Sequence, residues 1–317
     1  MKNKIKQIFG AALSAVLLLS ACTAPAANTN SSEHKLNIVA TTTMLADLSR
    51  TIGGDRVTVN GLMGPGIDPH LYQASAGDVS LMQKADAVVY NGLHLEGKMG
   101  EIFENLTGSS PAVICIENGL EKSTLLNVEE GSSTYDPHIW FDVSLWKSAA
   151  KTVAQGLSEA DPDGKTDYER NLDTYLQELE EADQYIRSRT AELPEEQRVL
   201  ITAHDAFQYF GRAYGFEVHG LQGISTDAEA GTSDVSSLAD FIAERRIKAI
   251  FVESSVPPKT IEALQAAVKA RNFDVSIGGE LFSDSLGDEK SGADTYILTV
   301  KANIDTITDA LKEGGDQ

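Results

Sequence analysis

Two of the six histidines in this 317-residue chain close the same tripeptide, Asp68-Pro69-His70 and Asp136-Pro137-His138. From the composition, about 0.01 such triplets would arise by chance. Proline locks its own φ and pushes the residue before it towards extended geometry, so each imidazole follows a stiffened backbone. A ring held in that way suits a preorganised metal ligand; an ordinary turn histidine is the alternative for either loop taken alone. His204 is a third candidate. It follows the apolar run Val199-Leu200-Ile201-Thr202-Ala203 and is expected just past the carboxyl end of a strand, where open α/β sheets bind their ligands. Asp284, in Gly279-Glu280-Leu281-Phe282-Ser283-Asp284-Ser285-Leu286-Gly287, is the fourth, with Glu253 and Glu280 as rival carboxylates. His34, His94 and His219 read as solvated or structural. The chain has only two cysteines, Cys22 and Cys115, so a metal site here must be built from nitrogen and oxygen.

These side chains need elements to hold them. Short β-branched runs alternate with amphipathic, helix-length segments, which argues for parallel sheets covered on both faces. Strands are expected at 36–40, 57–62, 87–90, 112–115, 199–202, 216–218 and 249–252, with a first helix over 44–52. Helix starts follow the two tripeptides: Ser75 with Asp78 has the spacing of a capping box, and Asp142 is placed as an N-cap. The most regular segment lies in the middle, where Tyr168, Leu172, Tyr175, Leu179, Ala182 and Ile186 recur at spacings of three and four. That pattern predicts one long amphipathic helix over 165–192, stopped near Leu193-Pro194. Periodicity alone leaves two placements open, on the surface of one domain or as a rigid rod between two.

The N-terminus has the order of a leader: Lys2, Lys4 and Lys6, an apolar run over 8–19, then Leu19-Ser20-Ala21-Cys22. The run is short for a membrane span, and its end resembles a lipoprotein cleavage box. Lipid on Cys22 is therefore expected to anchor a mature chain outside the cytoplasmic membrane, without a spanning helix. Residues 23–35, rich in Ala, Asn, Thr and Ser, read as a flexible tether. Without the leader's three lysines, 23 basic residues face 47 acidic ones, a net charge of −24. No basic tract remains that would hold nucleic acid.

At this point the motifs resemble a family. Pro65-Gly66-Ile67-Asp68-Pro69-His70, Asp136-Pro137-His138-Ile139-Trp140, Thr202-Ala203-His204-Asp205-Ala206-Phe207, Phe251-Val252-Glu253-Ser254, Leu281-Phe282-Ser283-Asp284-Ser285 and Gly292-Ala293-Asp294-Thr295-Tyr296 occur in order behind the cleavage box. Together they are similar to the TroA-type zinc- and manganese-binding lipoproteins of bacterial ABC importers. The resemblance implies an α/β fold of two lobes, each a mainly parallel sheet flanked by helices, joined by one long backbone helix. It implies metal ligands at His70, His138, His204 and Asp284. The chain then divides into a leader (1–21), a tether (22–35), an N-terminal lobe (36–162), a linking helix (163–193) and a C-terminal lobe (194–317).

Three imidazoles and a carboxylate can close round a divalent ion at about 2.0–2.2 Å, a set that favours zinc over manganese. Two family cues pull apart. Manganese members often have Glu at the His204 position, yet zinc members often carry a histidine-rich loop where residues 117–135 here have none. The expected function is capture of zinc, or of manganese, by a monomeric, lipid-anchored binding protein that hands the ion to an ABC permease. No catalytic cofactor and no enzymatic activity are expected. The alternatives are a secreted zinc hydrolase, against which stands the absence of an HExxH motif or nucleophile elbow, and a surface adhesin. Because ligation needs neutral imidazoles, affinity is expected to fall as the pH drops through about 6.5.

Overall fold

Leu36–Ala40 forms β1, and its last three residues are wholly buried. A strand covered on both faces has no reason to alternate, which is why this one reads as a continuous apolar run. It lies inside a parallel sheet of order β2-β1-β3-β4, with β2 at Val57–Gly61, β3 at Ala87–Tyr90 and β4 at Ala112–Cys115. Ile38 sits opposite Val59 on one side and Ala87 on the other. This is a computed structural model, and it describes residues 35–108, 111–129 and 132–313. The expected leader, the lipidated Cys22, His34 and all of the tether but Lys35 lie outside the described residues.

Helices α1 (Thr43–Gly53), α2 (Ala76–Gln83), α3 (Gly100–Leu106) and α4 (Val143–Ala160) accompany this sheet. Their starts follow the local chemistry of the sequence. The Asp78 N–H donates to Ser75 Oγ at 3.2 Å while the Ser75 N–H donates to Asp78 Oδ2 at 2.7 Å, a complete capping box. Asp142 Oδ1 accepts the Ser144 N–H at 2.9 Å and starts α4.

The long helix α5 spans Lys165–Thr190, 26 residues or about 39 Å at 1.5 Å per residue. It ends slightly before the Leu193-Pro194 stop. Its early turns meet α1, where Asn171 Nδ2 donates to Ile52 O at 2.9 Å. Its later turns meet the second half of the chain, where Tyr214 OH donates to Asp183 Oδ1 at 2.9 Å and Arg189 pairs with Asp305 at 2.7 Å. The helix therefore packs against both halves of the chain.

The second half holds two parallel pairs, β5 (Val199–His204) with β6 (Glu217–Gln222), and β7 (Ala249–Glu253) with β8 (Ser276–Leu281). Helices α6 (Gln208–Tyr214), α7 (Thr232–Arg245), α8 (Lys259–Lys269) and α9 (Tyr296–Glu313) complete it. Three details differ from the sequence reading. His204 is the last residue of β5 rather than the residue after it, and His219 lies in the middle of β6 rather than at a strand end. The strand β8 was not expected at all. Its Ser276-Ile277-Gly278-Gly279 start has the composition of a loop, but a Cβ on Gly278 would lie 2.6 Å from Ala310 Cβ and 2.8 Å from Phe251. Glycine is there because α9 and β7 approach the backbone closely.

One apolar core runs through both halves. It joins Ile38, Trp146 and Leu179 to Phe207, Phe251 and Ile304, with a smaller satellite core in each half. Trp146 stacks on Tyr296 of α9 with centroids 4.8 Å apart and donates to Tyr175 OH of α5 at 3.0 Å. A seam packed in this way resists wide opening, because parting it would expose large aromatic surfaces to water.

Candidate metal centre

The two Asp-Pro-His loops share one device. Asp68 Oδ1 accepts the His70 N–H at 2.8 Å, and Asp136 Oδ1 accepts the His138 N–H at 2.9 Å. Each aspartate thus closes a turn over a proline that has no N–H of its own, and the turn fixes the backbone that carries the ring. Beyond that the aspartates diverge. Asp136 Oδ1 also lies 2.7 Å from His138 Nδ1, which places a proton on Nδ1 and leaves Nε2 facing inwards. Asp68 turns its second oxygen to the other half of the chain, where it accepts Thr226 Oγ1 at 2.6 Å. Gly66, at φ 74, lets the first loop turn against Ser254, and its N–H donates to Ser285 Oγ at 2.8 Å.

His204 is set by Glu253 at the end of β7. Glu253 Oε1 accepts the His204 N–H at 2.8 Å, and Oε2 lies 2.5 Å from Nδ1, close enough for an ion pair though not aligned as a hydrogen bond. The rival carboxylate Glu253 therefore stands behind the ring, and Glu280 is exposed. Asp284 follows β8 on a loop pinned from two sides. Asn303 of α9 exchanges hydrogen bonds with Phe282 at 2.9 and 2.8 Å, and Trp140 Nε1 donates to Ser283 O at 2.9 Å. His94 is exposed in a left-handed turn, and His219 packs on Phe241 beside Glu217.

The four candidates meet. The His70 and His138 Nε2 atoms are 3.3 Å apart; Asp284 Oδ2 is 3.6 Å from His70 Nε2 and 3.3 Å from His204 Nε2, and Oδ1 is 3.4 Å from His138 Nε2. All four possible ligand atoms lie within 4.8 Å of one another. A tetrahedron of bonds of about 2.0–2.1 Å has edges of about 3.3–3.4 Å. These separations are close to that size, and the 4.8 Å outer limit leaves the group somewhat wider than a closed zinc site. Exposure is 5% at His70, 0% at His138 and His204 and 1% at Asp284. Neither Asp284 oxygen receives a hydrogen bond, and its ion-pair neighbours among the described residues are all histidines. A buried carboxylate needs positive charge close by, which the facing imidazoles supply when protonated and a cation at the centre of the group would supply in their place.

The titration of the cluster follows from its charges. Burial lowers the His70 pKa to about 4, so that ring is neutral at pH 7. Burial also disfavours the charged form of His138, but the Asp136 and Asp284 carboxylates outweigh it and raise its pKa to about 9. Against the same desolvation, Glu253 and Asp284 push His204 well above its usual value. Burial would raise Asp284, yet His204 and His138 hold it well below the ordinary carboxylate range. An imidazolium at 138 donating to a neutral ring at 70 fits the 3.3 Å between their Nε2 atoms. The expected onset of acid weakening near 6.5 is therefore too low: for His138, competition with protons begins at about 9.

Sequence reasoning found the four converging groups but not the roles of Asp136, Glu253 and Thr226 behind them. The repeated tripeptide was a signal for Asp136, and Glu253 at a strand end had been singled out only as a possible ligand.

Comparison with known proteins agrees with this geometry. Residues 38–310 match the family described as "ZnuA: Zinc-uptake complex component A periplasmic". The zinc-binding protein TroA of Treponema pallidum (strain Nichols) is 50% identical over 274 residues, covering 86% of this chain and 88% of its own. The manganese-binding lipoprotein MntA of Bacillus subtilis (strain 168) is 42% identical over 305 residues, covering 96% and 99%. The solved structure of the periplasmic zinc-binding protein TroA from Treponema pallidum superposes with a TM-score of 0.85 at 49% identity, covering 87% of this chain and 99% of that one. With sequence match, fold and site in agreement, this chain belongs to the ZnuA family, the zinc- and manganese-binding proteins of bacterial ABC importers.

Proposed function

We propose that His70, His138, His204 and Asp284 bind one divalent cation, which the protein captures outside the cytoplasmic membrane and delivers to an ABC permease. The observation that carries this reading is the convergence of the buried Asp284 carboxylate and three buried imidazoles, with their ligand atoms within 4.8 Å of one another. Zinc is the favoured cargo, since three nitrogens and one oxygen at these separations suit it, and manganese is the second. Two ligands come from residues 36–162 and two from residues 194–317, which we read as lobes joined by the helix within 163–193. Ligands drawn from both lobes couple capture to a small closure, and release follows when the permease separates them. Lipid on Cys22 keeps the monomeric protein at the membrane. Among the described residues no helix is long and apolar enough to cross it.

A hydrolytic role fits less well. Catalytic zinc keeps a position open for water, and here the buried Asp284 stands as the fourth candidate ligand. The test is titration calorimetry of zinc and manganese on His70→Ala, His138→Ala, His204→Ala and Asp284→Ala. Each variant is expected to lose at least about a hundredfold in affinity. Unchanged affinity in any two of them would end the four-ligand assignment.

A further inference from the structure

We propose that Thr226 and Asp227 form a latch that closes the His70 side of the centre and sets the rate at which the ion leaves; this rests on the ligand assignment above. Of the four ligands, His70 is the most exposed, and Ile67 and Leu71 on its loop are 42% and 45% exposed. We take the loop that carries His70 as the side by which the ion leaves.

Across it lies the segment 223–231, between β6 and α7, bounded by Gly223 and Gly231 and without regular secondary structure. Two side chains of this segment reach the other half of the chain. Thr226, 8% exposed, donates its hydroxyl to Asp68 Oδ2 at 2.6 Å, and the other oxygen of that carboxylate holds the His70 N–H. Asp227 pairs with Lys98 at 2.9 Å. The first contact is short, largely shielded from water and made to a charged acceptor, which places it among the stronger hydrogen bonds. The second is open to solvent at both ends and contributes little alone.

The difference between the two Asp-Pro-His loops supports the assignment. In the second loop the aspartate serves the imidazole itself, through Nδ1. In the first, the equivalent carboxylate is turned away from the ring and tied across to the other half. Elsewhere the halves are joined by buried aromatic packing and by bonds such as Tyr296 OH to Trp140 O and Tyr209 OH to Asp136 O, at 2.7 and 2.9 Å. Those contacts cannot part without opening the core. The latch can part by moving one short segment.

The experiment is stopped-flow release of zinc from the full-length protein into an excess of a fluorescent chelator. Thr226→Val keeps the shape and removes the hydroxyl, and it is expected to speed release about tenfold, with the metal-free melting temperature lowered by no more than a few degrees. Thr226→Ser, which keeps the hydroxyl, is expected to release at the wild-type rate. Lys98→Met should accelerate release less than Thr226→Val, with the difference from wild type shrinking as salt is raised. Release from Thr226→Val at the wild-type rate would overturn the latch while leaving the ligand set standing. A wild-type protein that holds neither zinc nor manganese would overturn the ligand set, and the latch with it.

Discussion

Acidification is the perturbation that the centre should report most sharply. In the metal-free protein at pH 7, His138, with its pKa near 9, and His204, also raised, each carry an extra proton on Nε2, whereas His70, near 4, does not. A metal ion needs the Nε2 lone pairs, so binding must expel the protons from 138 and 204. The Nδ1 protons stay, facing Asp136 and Glu253. The sign is fixed: expelling protons is harder at low pH, so affinity rises with pH. The His138 proton alone makes the logarithm of the affinity constant climb by about one for each pH unit below about 9, and the raised His204 adds to that slope. Between pH 8 and pH 6 the loss is at least about a hundredfold. Calorimetry at pH 7 in two buffers of different ionisation enthalpy reads the proton count directly. A count near zero, with affinity flat across that window, would refute the charge balance drawn for the site.

Two further outcomes follow from the same geometry. Glu253→Gln removes the charge behind His204 while keeping its volume, and it is expected to weaken zinc binding about 10- to 100-fold and to reduce the protons released at pH 7, both measurable by calorimetry. Leu179→Ala empties a fully buried position on α5 and should cost about 2–5 kcal/mol of stability, read from denaturant unfolding. It should leave the affinity of the folded protein unchanged, because α5 contributes no ligand.

Much of this was legible in the sequence, for physical reasons that differ from place to place. Proline and aspartate act locally, so the turns that present His70 and His138 were already written in the tripeptides, and the capping box at Ser75 in its own spacing to Asp78. The apolar run of β1 and the periodicity of α5 are likewise local patterns that burial imposes. Whether α5 bridges two halves was not legible in its periodicity, because its partners Ile52 and Asp305 are remote in sequence, and only the family resemblance implied it. The strand β8 was hidden by glycines whose cause, the closeness of Ala310 and Phe251, exists only in the fold. The same holds for Thr226: nothing near it in the chain announces a bond to Asp68. The raised pKa of His138 depends on two carboxylates, and the one on Asp284 reaches it only through tertiary structure.

The central claim is that one ion sits among three imidazoles and one carboxylate. X-ray absorption on the zinc-loaded protein, compared with its Asp284→Asn variant, tests it most directly. Three nitrogen scatterers with the outer-shell signature of imidazole, and one oxygen, at about 2.0–2.2 Å are predicted. The oxygen contribution should change in the variant and the imidazole signature should persist. A first shell with one imidazole or none, or one untouched by the loss of the Asp284 carboxylate, would contradict the account.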